Sequence, residues 1–354
     1  MKILIVRLSA LGDVIQGIPF LVALKESFPD WEISWLVENT HAPVLQGHPC
    51  LDELFVLDRD WRRKKLGTSA ADWLRGGAAA WKICRQLRRK RFDAAIDLQG
   101  LFKSGLWCRL SGAPRRIGHD RTRECAHWFL NEYVCDRPTF DPSFPLVKRY
   151  LEPARYLGAN LKKARYLLPP ATPETVAGVD ALLGKNPIST IAFCPWSAWA
   201  SKNWPLACWQ ELGDALAKEH RVLILGGPGD VETADPLWPT RPGSQPAHDP
   251  GIFNLTGQVS LAELAEVFRR CRLVIGPDTG PVHMANATGV PRVLMLFGST
   301  SWRRSGPFGE NHRALYHSLE CQPCFERLCP LGHGDCLRLL DTPQVLNAAR
   351  EMIH

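Results

Sequence analysis

Lys2-Ile3-Leu4-Ile5-Val6-Arg7 is an unbroken apolar, β-branched run closed by a charge. It passes through Ser9-Ala10-Leu11-Gly12-Asp13 into a helically spaced stretch from Val14 to Phe28, ahead of Pro29. A strand without polar alternation has to be covered on both faces, which demands a parallel sheet between layers of helices. Ile33 to Val37, Leu54 to Leu57 and Phe92 to Leu98 repeat the strand pattern, and Ala71 to Arg91 reads as a basic helix. Strands alternating with helices define an α/β chain.

A proline-rich section, residues 138–187, interrupts this rhythm. The pattern restarts with strands at Thr190 to Cys194, Val222 to Leu225 and Leu273 to Ile275, and a last one at Val293 to Phe297. With a boundary near Pro169-Pro170, the expectation is two Rossmann-like domains, 1–169 and 170–354, facing a central cleft. Ligands of such sheets bind at the carboxyl ends of the strands. A chain of 354 residues is long for one core and suits two.

Composition narrows the partners. A hydrophobic fraction of 45% supports buried cores, and a net charge of +7 favours an anionic partner. The N-terminus lacks the apolar length and cleavage site of a signal peptide, and no stretch is apolar enough to span a bilayer. The chain reads as cytoplasmic, where disulfides are rare. Eight of its twelve cysteines are isolated and suit small buried positions. The other four, Cys321, Cys324, Cys329 and Cys336, crowd into residues 321–336 with His317 and His333 nearby, a set able to hold a structural Zn or Fe.

Four loops carry candidate chemistry. Asp13 follows the first strand, where an acid either caps the next helix or serves as a general base. The glycine fingerprint of a dinucleotide site is missing there, since only Gly12 is present. Asp278-Thr279-Gly280-Pro281-Val282-His283 turns a strand into a helix whose free amides suit a diphosphate. Ser197 to Pro205 holds Lys202, read as a mobile point charge for phosphate. Gly226-Gly227-Pro228-Gly229 brings Asp230 or Glu232 towards a ribose hydroxyl. Basic clusters at Arg62-Arg63-Lys64-Lys65, at Arg85 to Arg91 and at Arg115 to Arg123 sit with Trp61, Trp73 and Trp81 in the first half. They suit anionic ligands or a membrane interface.

Taken in order, Leu11-Gly12-Asp13-Val14, Asp93 to Ser104, Lys202-Asn203-Trp204-Pro205 and Asp278 to His283 resemble the ADP-heptose:lipopolysaccharide heptosyltransferases, glycosyltransferase family 9. The first-domain motifs look like the enzyme adding the first heptose, and the cysteine-rich tail looks like the second-heptose enzymes. The resemblance implies the GT-B fold and an ADP-heptose donor. It also implies a Kdo-bearing lipid A or core lipopolysaccharide acceptor and a site peripheral to the inner membrane. Asp13 becomes the base, with Lys202 and the Thr279–Gly280 amides on the diphosphate. Ser197, Asp278 and His283 line the donor pocket and Glu232 meets the ribose. Arg62, Arg63, Lys64 and Arg123 fall on the acceptor side. No cofactor is implied for catalysis.

The same residues leave three other readings to test. A related transferase would use another sugar nucleotide or a protein acceptor. A nicotinamide oxidoreductase would need the missing fingerprint. A metal-ribbon protein binding nucleic acid would leave the donor motifs idle, so nucleic acid is not an expected partner.

Overall fold

The computed structural model describes residues 1–58, 70–120, 122, 124–134, 141–184, 189–239 and 250–353, with backbone alone at 70–76. The chain divides into two compact units, Met1–Pro170 and Ala171–His354. The first holds β1 (Lys2–Val6), β2 (Glu32–Glu38), β3 (Glu53–Leu57), β4 (Ala94–Asp97), β5 (Arg115–His119) and β6 (Glu132–Val134) in the order β3-β2-β1-β4-β5-β6. The second holds β7 (Thr190–Phe193), β8 (Arg221–Ile224), β9 (Gly251–Asn254), β10 (Leu273–Pro277), β11 (Arg292–Phe297) and β12 (His312–Tyr316) in the order β12-β11-β10-β7-β8-β9. Every strand pairing is parallel. Read from the other edge, the second order repeats the first. Each unit is a doubly wound α/β sheet whose strand order reverses once, between β1 and β4 and between β7 and β10.

The reason lies in the runs that opened the sequence. Ile3, Leu4, Ile5 and Val6 are wholly buried, as are Ile191, Phe193, Val274, Ile275, Leu294 and Leu296. Each such side chain contributes about 1.5–3 kcal/mol when removed from water, and only a sheet covered on both faces buries whole runs.

Three local expectations are corrected. The single helix over Val14 to Phe28 is two, Leu11–Gln16 and Ile18–Ser27. Gly17 caps the first and Pro19, lacking an N–H, opens the second. Gly17 is also where Trp35 packs, since a Cβ there would meet its ring at 3.1 Å. The proline-rich section contains helices at Leu146–Tyr156 and Pro173–Leu183. Finally, β11 is not the last strand, because β12 pairs with it along the sheet edge.

His119 ends β5, 3% exposed. Burial and the Arg149 charge push its imidazole down to about 3, from 6.5. The unfolded chain therefore binds this proton between those values and the native state does not, so stability falls as pH drops from about 6.5 towards 3. The loss approaches about 1.4 kcal/mol per pH unit. Urea titrations across this range should show a shallower acid decline for His119→Asn than for wild type. Parallel profiles would exclude His119 as the cause.

Candidate active site

Both reversal points collect the polar residues that the sequence placed at strand ends, as the fold requires of a binding crevice. In the first unit Asp13 lies in the opening turn of the helix after β1, and its carboxylate accepts from the Ala10 amide at 3.4 Å. The cap position itself is Ala10, so Asp13 reaches back to the cap amide from inside the first turn, and it does so through one oxygen. Asp13 also forms an ion pair with Arg7 and accepts from the Tyr150 hydroxyl at 3.3 Å. Its side chain stays about one-third exposed, open to a substrate proton.

Arg7 is the buried counterpart. It is 5% exposed, donates to the Leu98 carbonyl at 3.1 Å and lies over the Tyr150 ring at 5.2 Å. Burial pulls its guanidinium down, and the charges of Asp13, Tyr150 and Asp97 more than reverse that. Asp97, at the end of β4, accepts from the Gln99 and Gly100 amides at 2.8 and 2.9 Å. Its complete burial still lifts its carboxyl above the usual range. Beside this group Lys103 bridges Ser9 and the buried Glu38, each at 2.9 Å. Arg7 was not singled out, although the charge closing the first run was a signal that could have found it, whereas Tyr150 gave none, lying 137 residues from Asp13.

In the second unit the loops after β7 and β10 meet. Lys202 donates to the Asp278 carboxylate at 3.0 Å and to its carbonyl at 3.1 Å. It lies over the Trp199 ring at 4.6 Å and is 14% exposed. It is thus anchored, contrary to the expectation of a mobile charge, and one of its three N–H donors remains for a phosphate oxygen. Asp278 also binds His283 Nε2 at 2.9 Å. Burial pushes the Asp278 carboxyl up, but the Lys202 charge and the His283 hydrogen bond outweigh it and hold it well below the carboxylate range.

Because Asp278 is committed sideways, it does not cap the helix Gly280–Thr288. Thr279 stands at the cap position without a side-chain hydrogen bond. The first amides of that helix remain available to an anion. Gly276 permits this close packing, since a Cβ there would sit 2.5 Å from Val282 and 3.0 Å from the Cys194 carbonyl.

Ser197 shapes its loop: its hydroxyl accepts from the Trp199 amide at 3.3 Å and its own amide donates to Asn203 at 2.8 Å. Next to the helix start lies a hollow of about 230 Å³ lined by Trp196, Leu225, Gly226, Asp230, Leu264 and Pro281, among others. Its apolar walls suit a flat heterocycle. Asp230 accepts from the Gly227 amide at 2.8 Å at its rim, and Glu232 is exposed in the following helix. Trp196 and Leu264 carried no signal as site residues, because an apolar residue just after a strand or within a helix reads as core.

Arg62, Arg63, Lys64 and Arg123 lie outside the described residues. The four clustered thiols are free, with Cys321 exposed and Cys336 packed against the second core. Among the described residues no group of three or more His, Cys, Asp or Glu stands ready around one ion. The segment's path is set instead by Gln322 donating to Gly298 and the Phe325 amide donating to Ser299. No helix among the described residues is long and apolar enough to cross a membrane.

Lipopolysaccharide heptosyltransferase 1 of Pseudomonas aeruginosa is 29% identical over 93% of this chain and 87% of its own. A glycosyl transferase family 9 structure from Veillonella parvula superposes with a TM-score of 0.81 at 23% identity, covering 99% of this chain and 97% of its own. E. coli heptosyltransferase WaaC, solved with ADP-2-deoxy-2-fluoro heptose, gives 0.71 at 24% identity over 99% of both chains. The fold is GT-B, two Rossmann-like domains. The sequence profile of Glycosyltransferase family 9 (heptosyltransferase) matches residues 80–334, and the chain belongs to that family of glycosyltransferases.

Proposed function

We propose that this enzyme moves heptose from ADP-heptose to the Kdo-bearing inner core of lipopolysaccharide on lipid A, with inversion at the anomeric carbon. The observation that carries the donor half is the Lys202–Asp278–His283 group beside an uncapped helix start, next to an apolar hollow of nucleoside-base size. The acceptor half is supported by the lipopolysaccharide relatives and by the basic first half of the chain.

In the reaction, Asp13 takes the proton of the acceptor hydroxyl as its oxygen bonds to the anomeric carbon. The bond from that carbon to the β-phosphate breaks, and the electron pair leaves with ADP. Lys202 and the amides at Thr279 and Gly280 stabilise the charge gathering on the leaving diphosphate. Ser197 shapes that wall, and Glu232 reaches a ribose hydroxyl. Arg62, Arg63, Lys64 and Arg123 bind acceptor carboxylates and phosphates. No metal enters the chemistry.

Work takes place on the cytoplasmic face of the inner membrane, where the chain is peripheral. The exposed face of the helix Ala70–Lys90 supports this, with Trp81 67% exposed beside Arg85, Arg88 and Arg89. Donor titration tests the reading: ADP should bind where UDP and GDP do not, and turnover should persist in EDTA. Preference for UDP would redirect the assignment to another sugar nucleotide, and loss of turnover rescued by Mg²⁺ would overturn the metal-free mechanism.

A structural zinc or iron at Cys321, Cys324, Cys329 and Cys336 belongs to the same proposal. Burial and then the charges of the other three thiols push Cys336 up, and the Gly334 amide leads a set of backbone N–H groups that pull Cys329 down. A cation relieves such mutual repulsion, and binding would draw the thiolates together. Elemental analysis of anaerobically purified protein should find about one zinc or iron per chain; none would end the metal assignment.

A further inference from the structure

The cysteine-rich segment is stitched to the donor loops by its backbone rather than by its thiols. The Ser201 amide donates to the Arg327 carbonyl at 3.1 Å, and the Ser201 hydroxyl donates to the Glu326 carbonyl at 2.5 Å. Ser201 also meets Ser299 at 2.8 Å, and Ser299 accepts from the Phe325 amide at 2.9 Å. Three stretches therefore lock together one residue from Lys202: the loop after β7, the loop after β11 and residues 322–327. The lock presents Arg327, whose guanidinium lies 5.9 Å from the centre of the Trp199 ring, the same indole that Lys202 faces at 4.6 Å.

Charge balance gives this placement a meaning. Lys202 is neutralised by Asp278 and has a single N–H donor to spare. A donor diphosphate brings one negative charge on each phosphate, so the pair alone leaves that charge uncompensated. Arg327 is exposed and, among the described residues, has no carboxylate partner. Its five N–H groups match phosphate oxygens in a way a lysine cannot.

We propose that Arg327 is a second cation for the donor diphosphate, a phosphate-binding residue delivered into the donor site by the cysteine-rich segment. This rests on the reading of the second unit as the nucleotide site. It also gives the segment a part in the reaction that does not depend on a metal.

Isothermal titration of wild type, Arg327→Ala and Arg327→Lys with ADP, AMP and adenosine tests it. Wild type binding ADP establishes the nucleotide site by itself. Arg327→Ala should then lose about tenfold in ADP affinity, the scale of one charged hydrogen bond. Adenosine, which carries no phosphate, should bind as to wild type, and Arg327→Lys should recover part of the ADP loss. The gap between wild type and Arg327→Ala should narrow as salt is raised. Unchanged ADP affinity in Arg327→Ala would overturn the proposal, and so would an equal loss for adenosine, which would mark a collapsed loop. Wild type failing to bind ADP would remove the nucleotide site and Arg327's role together.

Discussion

Replacing Asp13 with asparagine should lower transfer by roughly 10²–10⁴-fold, the usual contribution of a general base, while ADP affinity stays within about twofold. Asparagine is the milder probe because it keeps the shape of the side chain and one acceptor oxygen, for the Tyr150 hydroxyl or for the Ala10 amide and Arg7, while the basic charge is gone. Alanine would confuse the result. It leaves no acceptor oxygen for Arg7, a nearly buried guanidinium otherwise held by the Leu98 carbonyl and the Tyr150 ring. An uncompensated buried charge destabilises by several kcal/mol, so lost activity could then be lost fold. Steady-state rates and ADP titration on the same preparation separate the two. Near-normal turnover in Asp13→Asn would take Asp13 out of the mechanism.

Lys202→Ala should act on both binding and stability. Its side chain and that of Asp278 are 14% and 9% exposed, so removing the lysine leaves a carboxylate in the interior with, among the described residues, His283 alone as side-chain partner. Breaking a pair of this kind costs about 3–5 kcal/mol, and the Asp278 carboxyl would lose the charge that chiefly holds it low. Donor affinity should fall roughly tenfold or more, because a charge-assisted contact to phosphate disappears. Urea unfolding and ADP titration give the two readings. Unchanged stability would contradict the buried pair, and unchanged ADP affinity would contradict the phosphate role.

How far the sequence already contained this account depends on the range of each interaction. Runs such as Lys2 to Val6 and Val293 to Phe297 show their strand character within a few residues, and the two-sided α/β architecture follows from them. β5 and β12 were illegible because Arg115, Arg116, His312 and Arg313 make them look like surface. The helix Leu146–Tyr156 was hidden by Pro145, which sits at its cap, and Pro153, which lies inside it. Asp13, Asp278 and His283 were legible since strand ends point to them. Lys202 was misjudged because its anchor lies 76 residues away, and Arg327 was invisible because its tie to Ser201 spans more than a hundred.

Heptose transfer to the inner core can be read directly from the product. The protein should be incubated with ADP-heptose and either Kdo–lipid A or the same acceptor already carrying one heptose, and the products weighed by mass spectrometry. One added heptose, with release of ADP, is expected on a Kdo-bearing acceptor. No gain in mass on either acceptor, from protein that binds ADP, would contradict it.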